Sequence, residues 1–418
     1  MPHHRMTLAL PHYLTWHNYN MLLLKSKETW YNEPMLKVEK LIPGGEALAT
    51  LENGKKIFLW NALPGENVVE YQITKNKSSY SEGIATKIEN PSPYRVEPKD
   101  ACFLSTSPWQ IMNYNYELSQ KQELIVEIFR EHKIDLEKPE IITDQKDYYY
   151  RNKMEYALYW NHDTNQIELA FHQRGSHHKT PIKTSSIERP EILTAAQSII
   201  EDLNSRGEEA RKYQSLLLRC NQNGEISGGL YENRKPHPIF DNLSDTILGN
   251  TYSYSPNGFF QINLPVYELA LKEIKKHIAT DKVLDLYAGV GTIGLSIARD
   301  KHLTLVEVDK SAYKELTNNT KGLKNTNTTL EKSENVLNYI EPDQTVILDP
   351  PRAGCDKKLI DRLIEVGPKT IIYLSCNPAT QARDVKLLLD SYRIKTTKTF
   401  NFFPHTPHIE NLIILEKK

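Results

Sequence analysis

A cysteine stands directly after a short apolar run in Thr370-Ile371-Ile372-Tyr373-Leu374-Ser375-Cys376-Asn377-Pro378-Ala379-Thr380. The run reads as a buried strand, and in an open α/β sheet the end of such a strand is the rim at which ligands bind. A thiol there is a candidate nucleophile. Only the thiolate attacks, and a helix N-terminus or a nearby cation lowers the pKa that yields it. The helix expected from Ala379 or Thr380 supplies the first, and Arg352 is placed to supply the second. The other cysteines have weaker claims: Cys102 follows a linker and Cys355 sits just beyond the Asp349 loop. Cys220, in the run Leu216-Leu217-Leu218-Arg219, reads as a small buried hydrophobe.

A glycine-rich turn precedes the thiol in the same half of the chain. Gly289-Val290-Gly291-Thr292-Ile293-Gly294 has the GxGxxG spacing, after a strand over 283–287 and before a helix over 292–299. Such a turn lets backbone approach a bound nucleotide, although it also serves simply to pack a helix on a strand. NAD(P) is a competing ligand. Asp285, four residues before Gly289, gives the D-x-x-x-G-x-G turn of S-adenosylmethionine-dependent methyltransferases. Glu307 ends the next strand and is placed for two ribose hydroxyls, which fits either cofactor. The rest of the half-chain separates them. No third phosphate turn and no hydride-shuttling histidine follow, whereas a thiol and a second acidic loop do. S-adenosylmethionine is the expected cofactor.

That second loop is Asp349-Pro350-Pro351-Arg352-Ala353-Gly354, at the end of a strand over 345–348. Consecutive prolines fix their own φ and restrict the residue before them, so Asp349 is held in place. In amino-methyltransferases a similar D-P-P is followed by an aromatic that stacks on the base. Arg352 in that slot counts against N6-adenine chemistry. Near the C-terminus, Phe403-Pro404-His405-Thr406-Pro407-His408-Ile409-Glu410 precedes a strand over 411–415. Glu410 is the candidate base; a solvated Glu at a strand start is the plain alternative.

These residues need a scaffold. From about residue 256 strands and helices alternate, which gives a parallel, Rossmann-like doubly wound sheet. Residues 36–92 hold short alternating strands with turns at Pro43-Gly44-Gly45, Asn53-Gly54 and Pro64-Gly65, as in a small β-barrel. Residues 93–255 are mixed α+β, with a helix over 117–132 and an antiparallel sheet following Tyr148. The expected class is α/β, with domains at 36–92, 93–255 and 256–418 after an N-terminal extension, 1–35. That extension lacks a signal-peptide layout. An organelle-targeting segment and a start at Met21 or Met35 are both open for it.

Length and charge bound the rest. A chain of 418 residues exceeds one core, and 52 Lys plus Arg balance 53 Asp plus Glu, so any nucleic-acid surface must be local. Four cysteines at this length make no disulfide framework and point to a reducing compartment, the cytoplasm. No apolar run is long enough to span a membrane.

Phe259-Phe260-Gln261-Ile262-Asn263, Asp285–Gly291, Asp349–Gly354, Ser375–Pro378 and Phe403–Glu410 occur in the order found in the RNA uracil-5 methyltransferases. The chain resembles that family from about residue 36 to its end, and the barrel resembles its OB-like, RNA-binding TRAM domain. The resemblance implies methyl transfer from S-adenosylmethionine to C5 of a uridine, with Cys376 as nucleophile and Glu410 as proton acceptor. Gln261, Tyr287, Gly289, Gly291, Glu307 and Asp349 match cofactor positions, Asp349 being also placed for the uracil. Glu334 or Asn335 fills the place near the adenine. The target base must leave its stack, and such enzymes read single-stranded loops with aromatics and cations. Basic–aromatic stretches of this kind occur at 148–153 and 172–179. The implied partner is RNA, 23S ribosomal RNA first and transfer RNA as the alternative, bound by a monomer. An amino-methyltransferase that leaves Cys376 idle and an inert TRAM-bearing RNA chaperone are the competing readings. One departure stands out. Many relatives hold an iron–sulfur cluster on four cysteines, but here the first three positions offer only Cys102 and the fourth falls near Ser185 or Ser186. No cluster and no metal are expected.

Overall fold

The computed structural model describes residues 35–418; the N-terminal extension lies outside them. The described chain divides into two compact units, one of residues 35–40 with Glu46–Pro93 and one of Leu41–Gly45 with Tyr94–Lys418.

The first unit is a curled sheet of six short strands among the described residues. They are β1 (Leu36–Lys37), β2 (Lys40–Leu41), β3 (Ala47–Thr50), β4 (Lys56–Trp60), β5 (Asn67–Asn76) and β6 (Tyr80–Glu89), in the order β1-β5-β6-β4-β3-β2. Alternate side chains on β3 and β4 (Ala47, Ala49, Ile57, Leu59) face inward and are fully buried, the period-2 pattern of a one-sided core. Gly83 lies where β5 and β6 approach closely: a Cβ there would stand 2.6 Å from the Gln72 carbonyl oxygen.

The second unit begins with α1 (Phe103–Thr106), α2 (Tyr114–Glu131) and β7 (Glu140–Ile142). An antiparallel sheet follows, β8 (Lys153–Asn161), β9 (Gln166–His172), β10 (Lys179–Pro181), β11 (Tyr213–Cys220) and β12 (Ile226–Glu232), in the order β10-β9-β8-β11-β12. The helix α3 (Pro190–Ser205) packs its buried stripe, Ile192, Ala196, Ile200 and Leu203, in the same core as Tyr156, Leu158 and Leu216 of that sheet. A hairpin, β13 (Leu243–Ile247) and β14 (Asn250–Tyr254), leads to α4 (Leu264–Lys275).

The remaining strands are β15 (Lys282–Leu286), β16 (His302–Glu307), β17 (Thr326–Leu330), β18 (Gln344–Leu348), β19 (Thr370–Ser375), β20 (Tyr392–Phe400) and β21 (Glu410–Lys417). Between them lie α5 (Thr292–Ile297), α6 (Lys310–Asn319), α7 (Lys357–Val366) and α8 (Pro378–Leu388). The strands form one mixed, Rossmann-like sheet in the order β17-β16-β15-β18-β19-β21-β20-β7. Its centre is parallel, and β18 and β19 are buried at every residue, as strands covered on both faces must be. Two features depart from the expected all-parallel sheet. The link over 401–409 is shorter than the dozen or so residues a parallel crossover needs, so β21 runs antiparallel to both its neighbours. In addition β7, from the region expected to be a separate central domain, completes the far edge beside β20.

Candidate active site

Strand register fixes which residues meet at the carboxyl rim. Leu286 pairs with Val306 and with Leu348, so one step further on Tyr287 lies between Glu307 and Asp349. Ser375 pairs with Asn411. That pair closes the ladder, and Glu410, the residue before Asn411, comes close enough to Cys376 for its charge to act on the thiol. The rim therefore runs Glu307, Tyr287, Asp349, Cys376, Glu410.

The first half of the rim is the candidate nucleoside cradle. The Gly289 N–H donates to Glu307 Oε2 at 2.7 Å, and the Val308 and Asp309 N–H groups donate to Oε1 at 2.8 and 2.6 Å. Asp285 accepts from the Gly294 N–H at 2.8 Å through one oxygen, while its other oxygen is buried with no partner. Burial pushes its carboxyl up to about 8. A Cβ on Gly294 would stand 2.8 Å from that carboxylate and 2.9 Å from Leu305, so only glycine lets α5 approach β15 this closely. Gly289 (φ +57) faces open space, with nothing within 4 Å of where a Cβ would stand. Gly291 takes the left-handed φ of +89 that starts α5. Tyr287 is also held at positive φ (+64), its hydroxyl against Ser333 and Cys355. Of the two candidates near that hydroxyl, Glu334 is the one whose charge reaches Tyr287, whereas the Asn335 amide donates to Glu331 at 2.9 Å. Gln261 is buried, its carbonyl taking hydrogen bonds from Asn152 (3.1 Å) and Arg219 (3.3 Å). The open turn, the two-oxygen acid beside it and the unpaired acceptor on Asp285 fit S-adenosylmethionine.

The second half holds the candidate reacting groups. Cys376 is half-buried, whereas Cys102, Cys220 and Cys355 are buried. Its thiol is pushed up to about 11, by burial first, then by Glu410 and Asp349, with Arg352 opposing. This reverses the lowering expected from the sequence. The α8 terminus is capped by Asn377, whose side chain takes the Ala379 N–H at 3.3 Å, and two carboxylates outweigh one guanidinium. Burial likewise raises Asp349 to about 7. Glu410 lies well above the ordinary carboxylate range through burial and Asp349, with Arg352 again opposing. Arg352, Cys376, Pro378 and His408 line a cleft of about 100 Å³ whose apolar wall includes Leu124 and Ile128 of α2.

Three sets of anchors that sequence reasoning missed hold these loops. The Arg352 carbonyl accepts from Asn377 Nδ2 (2.8 Å) and Thr380 Oγ1 (3.2 Å), and Asp384 takes the Cys355 N–H (2.9 Å), so α8 fixes the Asp349 loop. Buried Arg219 donates to the carbonyls of Gly258 (3.2 Å) and Phe260, which fixes the segment before Gln261. The fully buried pair Lys121–Glu117 (2.8 Å) fixes the loop before Glu410. Lys121 donates to Asn401 Oδ1 (2.6 Å) and the Phe403 carbonyl (3.0 Å), and Glu117 accepts the His405 N–H (2.9 Å). A signal for this pair existed: Glu117, Lys121, Leu124 and Ile128 share one helical stripe, with two charges among apolar neighbours.

Where relatives were expected to carry a cluster, the donors are mostly oxygen. Asp100 accepts from Gln110 Nε2 (2.8 Å) and from the Ser186 hydroxyl (2.7 Å) and N–H (3.1 Å), and Ser185 donates to Glu188. One thiol, Cys102, pushed up to about 12 by burial, does not fit a four-thiolate iron–sulfur cluster. Among the described residues no group of His, Cys, Asp or Glu is placed to hold a metal ion, and no helix is long and apolar enough to cross a membrane.

Comparison with known proteins bears on this arrangement. Residues 248–418, which contain the whole rim, match the family model described as tRNA (Uracil-5-)-methyltransferase. A protein of Enterococcus faecalis described as an uncharacterized RNA methyltransferase is 29% identical over 86% of this chain and 92% of its own. Another so described, from Bacillus cereus, is 26% identical over 91% and 96%. The fold is similar to that of the Pyrococcus abyssi tRNA (uracil-54, C5)-methyltransferase crystallised with S-adenosyl-L-homocysteine, with a TM-score of 0.71 at 23% identity, over 91% of this chain and 100% of that one. With a rim that fits the methyl donor inside the matched region, and relatives spanning nearly its whole length, the chain is an S-adenosylmethionine-dependent RNA methyltransferase.

Proposed function

We propose that the protein methylates C5 of a uridine in RNA through a covalent bond between Cys376 and C6 of the base. The observation that carries this reading is the approach of Glu410 and Asp349 to the Cys376 thiol, close enough for their charges to act on it, just beyond the end of the β19–β21 ladder. Uracil C5 is a poor nucleophile. The Cys376 thiol gives up its proton to solvent and the thiolate adds to C6, which moves the C5–C6 π electrons onto C5 and O4 as an enolate, dividing one hard step into easier ones. S-adenosylmethionine, when bound by Gln261, Tyr287, Gly289, Gly291, Glu307, Glu334 and Asp349, supplies an electrophilic methyl group. Once C5 carries the methyl, Glu410 takes the C5 proton; the released pair restores the C5–C6 double bond and expels the thiolate. A carboxylate with a raised pKa is the stronger base for this step.

For the RNA itself, both the family description and the fold neighbour name transfer RNA, which supports that substrate over the ribosomal RNA expected from sequence. The curled N-terminal sheet serves, in this reading, as a TRAM-like OB barrel that binds RNA, and the protein acts as a cytoplasmic monomer. The amino-methyltransferase reading gives Cys376 no role and is not favoured.

The test is RNA containing 5-fluorouridine, whose C5 has no proton to lose. A cofactor-dependent protein–RNA adduct should form with wild-type enzyme and vanish in Cys376→Ala, which still binds RNA. Mass-spectrometric mapping of 5-methyluridine in transfer and ribosomal RNA, with and without the gene, then assigns the substrate. An adduct that persists in Cys376→Ala refutes the nucleophile.

A further inference from the structure

We propose that Lys99, Tyr148 and Tyr149 form a stacking platform for a single-stranded base of the RNA, one that flanks the target uridine. This rests on the RNA uridine reading above and names the part of the surface that would grip the strand. The Lys99 ammonium lies over both rings, 4.5 Å from the centroid of Tyr148 and 4.4 Å from that of Tyr149, and donates to the Tyr149 hydroxyl at 3.0 Å. Tyr149 is 46% exposed, and Lys99 is exposed beside it. An exposed aromatic with a cation beside it offers a base π-surface and its phosphate a counter-charge, the pairing used for unpaired nucleic acid.

The platform is also built to stay where it is. Tyr149 is held at φ +56, a left-handed conformation unfavourable for a bulky residue, which must be imposed by its surroundings. Ser186 imposes it. Its carbonyl takes the Tyr149 N–H at 2.8 Å, while its own N–H and hydroxyl bind Asp100, the residue next to Lys99. Both halves of the platform are thus fastened to one buried hydrogen-bonded knot.

The reverse side of the segment touches the loop that leads to Glu410. The Tyr148 ring lies 4.3 Å from that of His405, Asp147 comes within 3.3 Å of the same imidazole, and the Tyr150 hydroxyl donates to the Pro404 carbonyl at 3.0 Å. A base stacked on Tyr149 would therefore sit a few residues from the catalytic loop, the place of a neighbour of a flipped-out uridine.

The experiment is fluorescence anisotropy with a uridine-containing RNA stem-loop, beside S-adenosylmethionine affinity by calorimetry. Tyr149→Ala should weaken RNA binding by about fivefold to 10²-fold, the range for losing one stacked base. Tyr149→Phe should bind within about twofold of wild type, because the π-face remains. Lys99→Ala should lower the slope of log affinity against log salt by about 0.7, one phosphate contact to a single strand. Cofactor affinity should be unchanged in all three. If wild type makes 5-methyluridine and Tyr149→Ala binds the same RNA equally well, the platform is wrong and the uridine reading stands. Equal losses in Tyr149→Ala and Tyr149→Phe also overturn it, since a hydroxyl contact rather than stacking would then be at work. If wild type makes no 5-methyluridine in any RNA, the underlying reading falls and takes the platform with it.

Discussion

With its pKa near 11, the Cys376 thiol is protonated in the free enzyme, and its alkylation by iodoacetamide should report this directly. At pH 8 about one thiol in a thousand is ionised, and the thiolate fraction rises about tenfold per pH unit up to about 11. The labelling rate, followed by peptide mass spectrometry, should climb by that factor between pH 7 and 10 without levelling. The neighbouring charges give the reasoning two opposed controls. Glu410→Gln removes a carboxylate that raises the thiol and should move the climb to lower pH; Arg352→Gln removes the cation that lowers it and should move the climb higher. Cys102 and Cys355, buried and both pushed up to about 12, serve as internal standards that stay unlabelled while the fold holds. A plateau at or below pH 8 would mean that α8 and Arg352 dominate after all, and would refute the electrostatic account. Shifts in the same direction from the two variants would refute it as well.

With ordinary uridine RNA, Glu410→Gln should accumulate a denaturant-stable protein–RNA adduct while release of 5-methyluridine slows about 10²–10⁴-fold, the usual worth of a general base; normal turnover without adduct would move the base elsewhere. Gly294→Ala should lose about 1–3 kcal/mol of stability in urea unfolding, the range for overpacking, because its methyl meets Asp285 and Leu305 below 3 Å. An unchanged midpoint would show that α5 can shift away from β15 at no cost.

How much of this was legible in sequence depended on whether the information was local. The Gly289–Gly294 turn and the strand ends bearing Glu307, Asp349 and Cys376 follow from periodicity and turn chemistry within a few residues, and they lie on the rim as expected. Glu410 could be named from its motif but not placed, because its position depends on β21 running antiparallel beside β19. That topology turns on the length of the 401–409 link. The edge strand β7 was illegible for a related reason: Glu140, Ile141 and Ile142 carry no pattern of their own and are held only by pairing with Lys398, Thr399 and Phe400. The thiol's pKa was misjudged because adjacent residues, a helix start and an arginine, are visible in sequence. The groups that outweigh them, Asp349 and Glu410, come from other strands, and desolvation is a property of the whole fold.

Burial leaves the free rim short of charge, and this has a consequence for cofactor binding. Asp349, raised to about 7, holds its proton in about half the molecules at neutral pH, and Asp285, on the neighbouring strand opposite Ile347, stands at about 8. The sulfonium of S-adenosylmethionine is a cation, and a cation near a buried acid favours the ionised form. By linkage, the ionised form then favours the cation. Affinity for S-adenosylmethionine should therefore rise as pH increases through 7, by up to about tenfold between pH 6 and 8 if ionised Asp349 is the binding form. S-adenosylhomocysteine has a neutral sulfur and should lack most of this dependence; so should Asp349→Asn with either ligand. Calorimetry of both ligands across that range decides the matter. Parallel pH profiles for the charged and the neutral sulfur would mean that Asp349 does not sense the sulfonium, and would leave its raised pKa as a plain cost of burial.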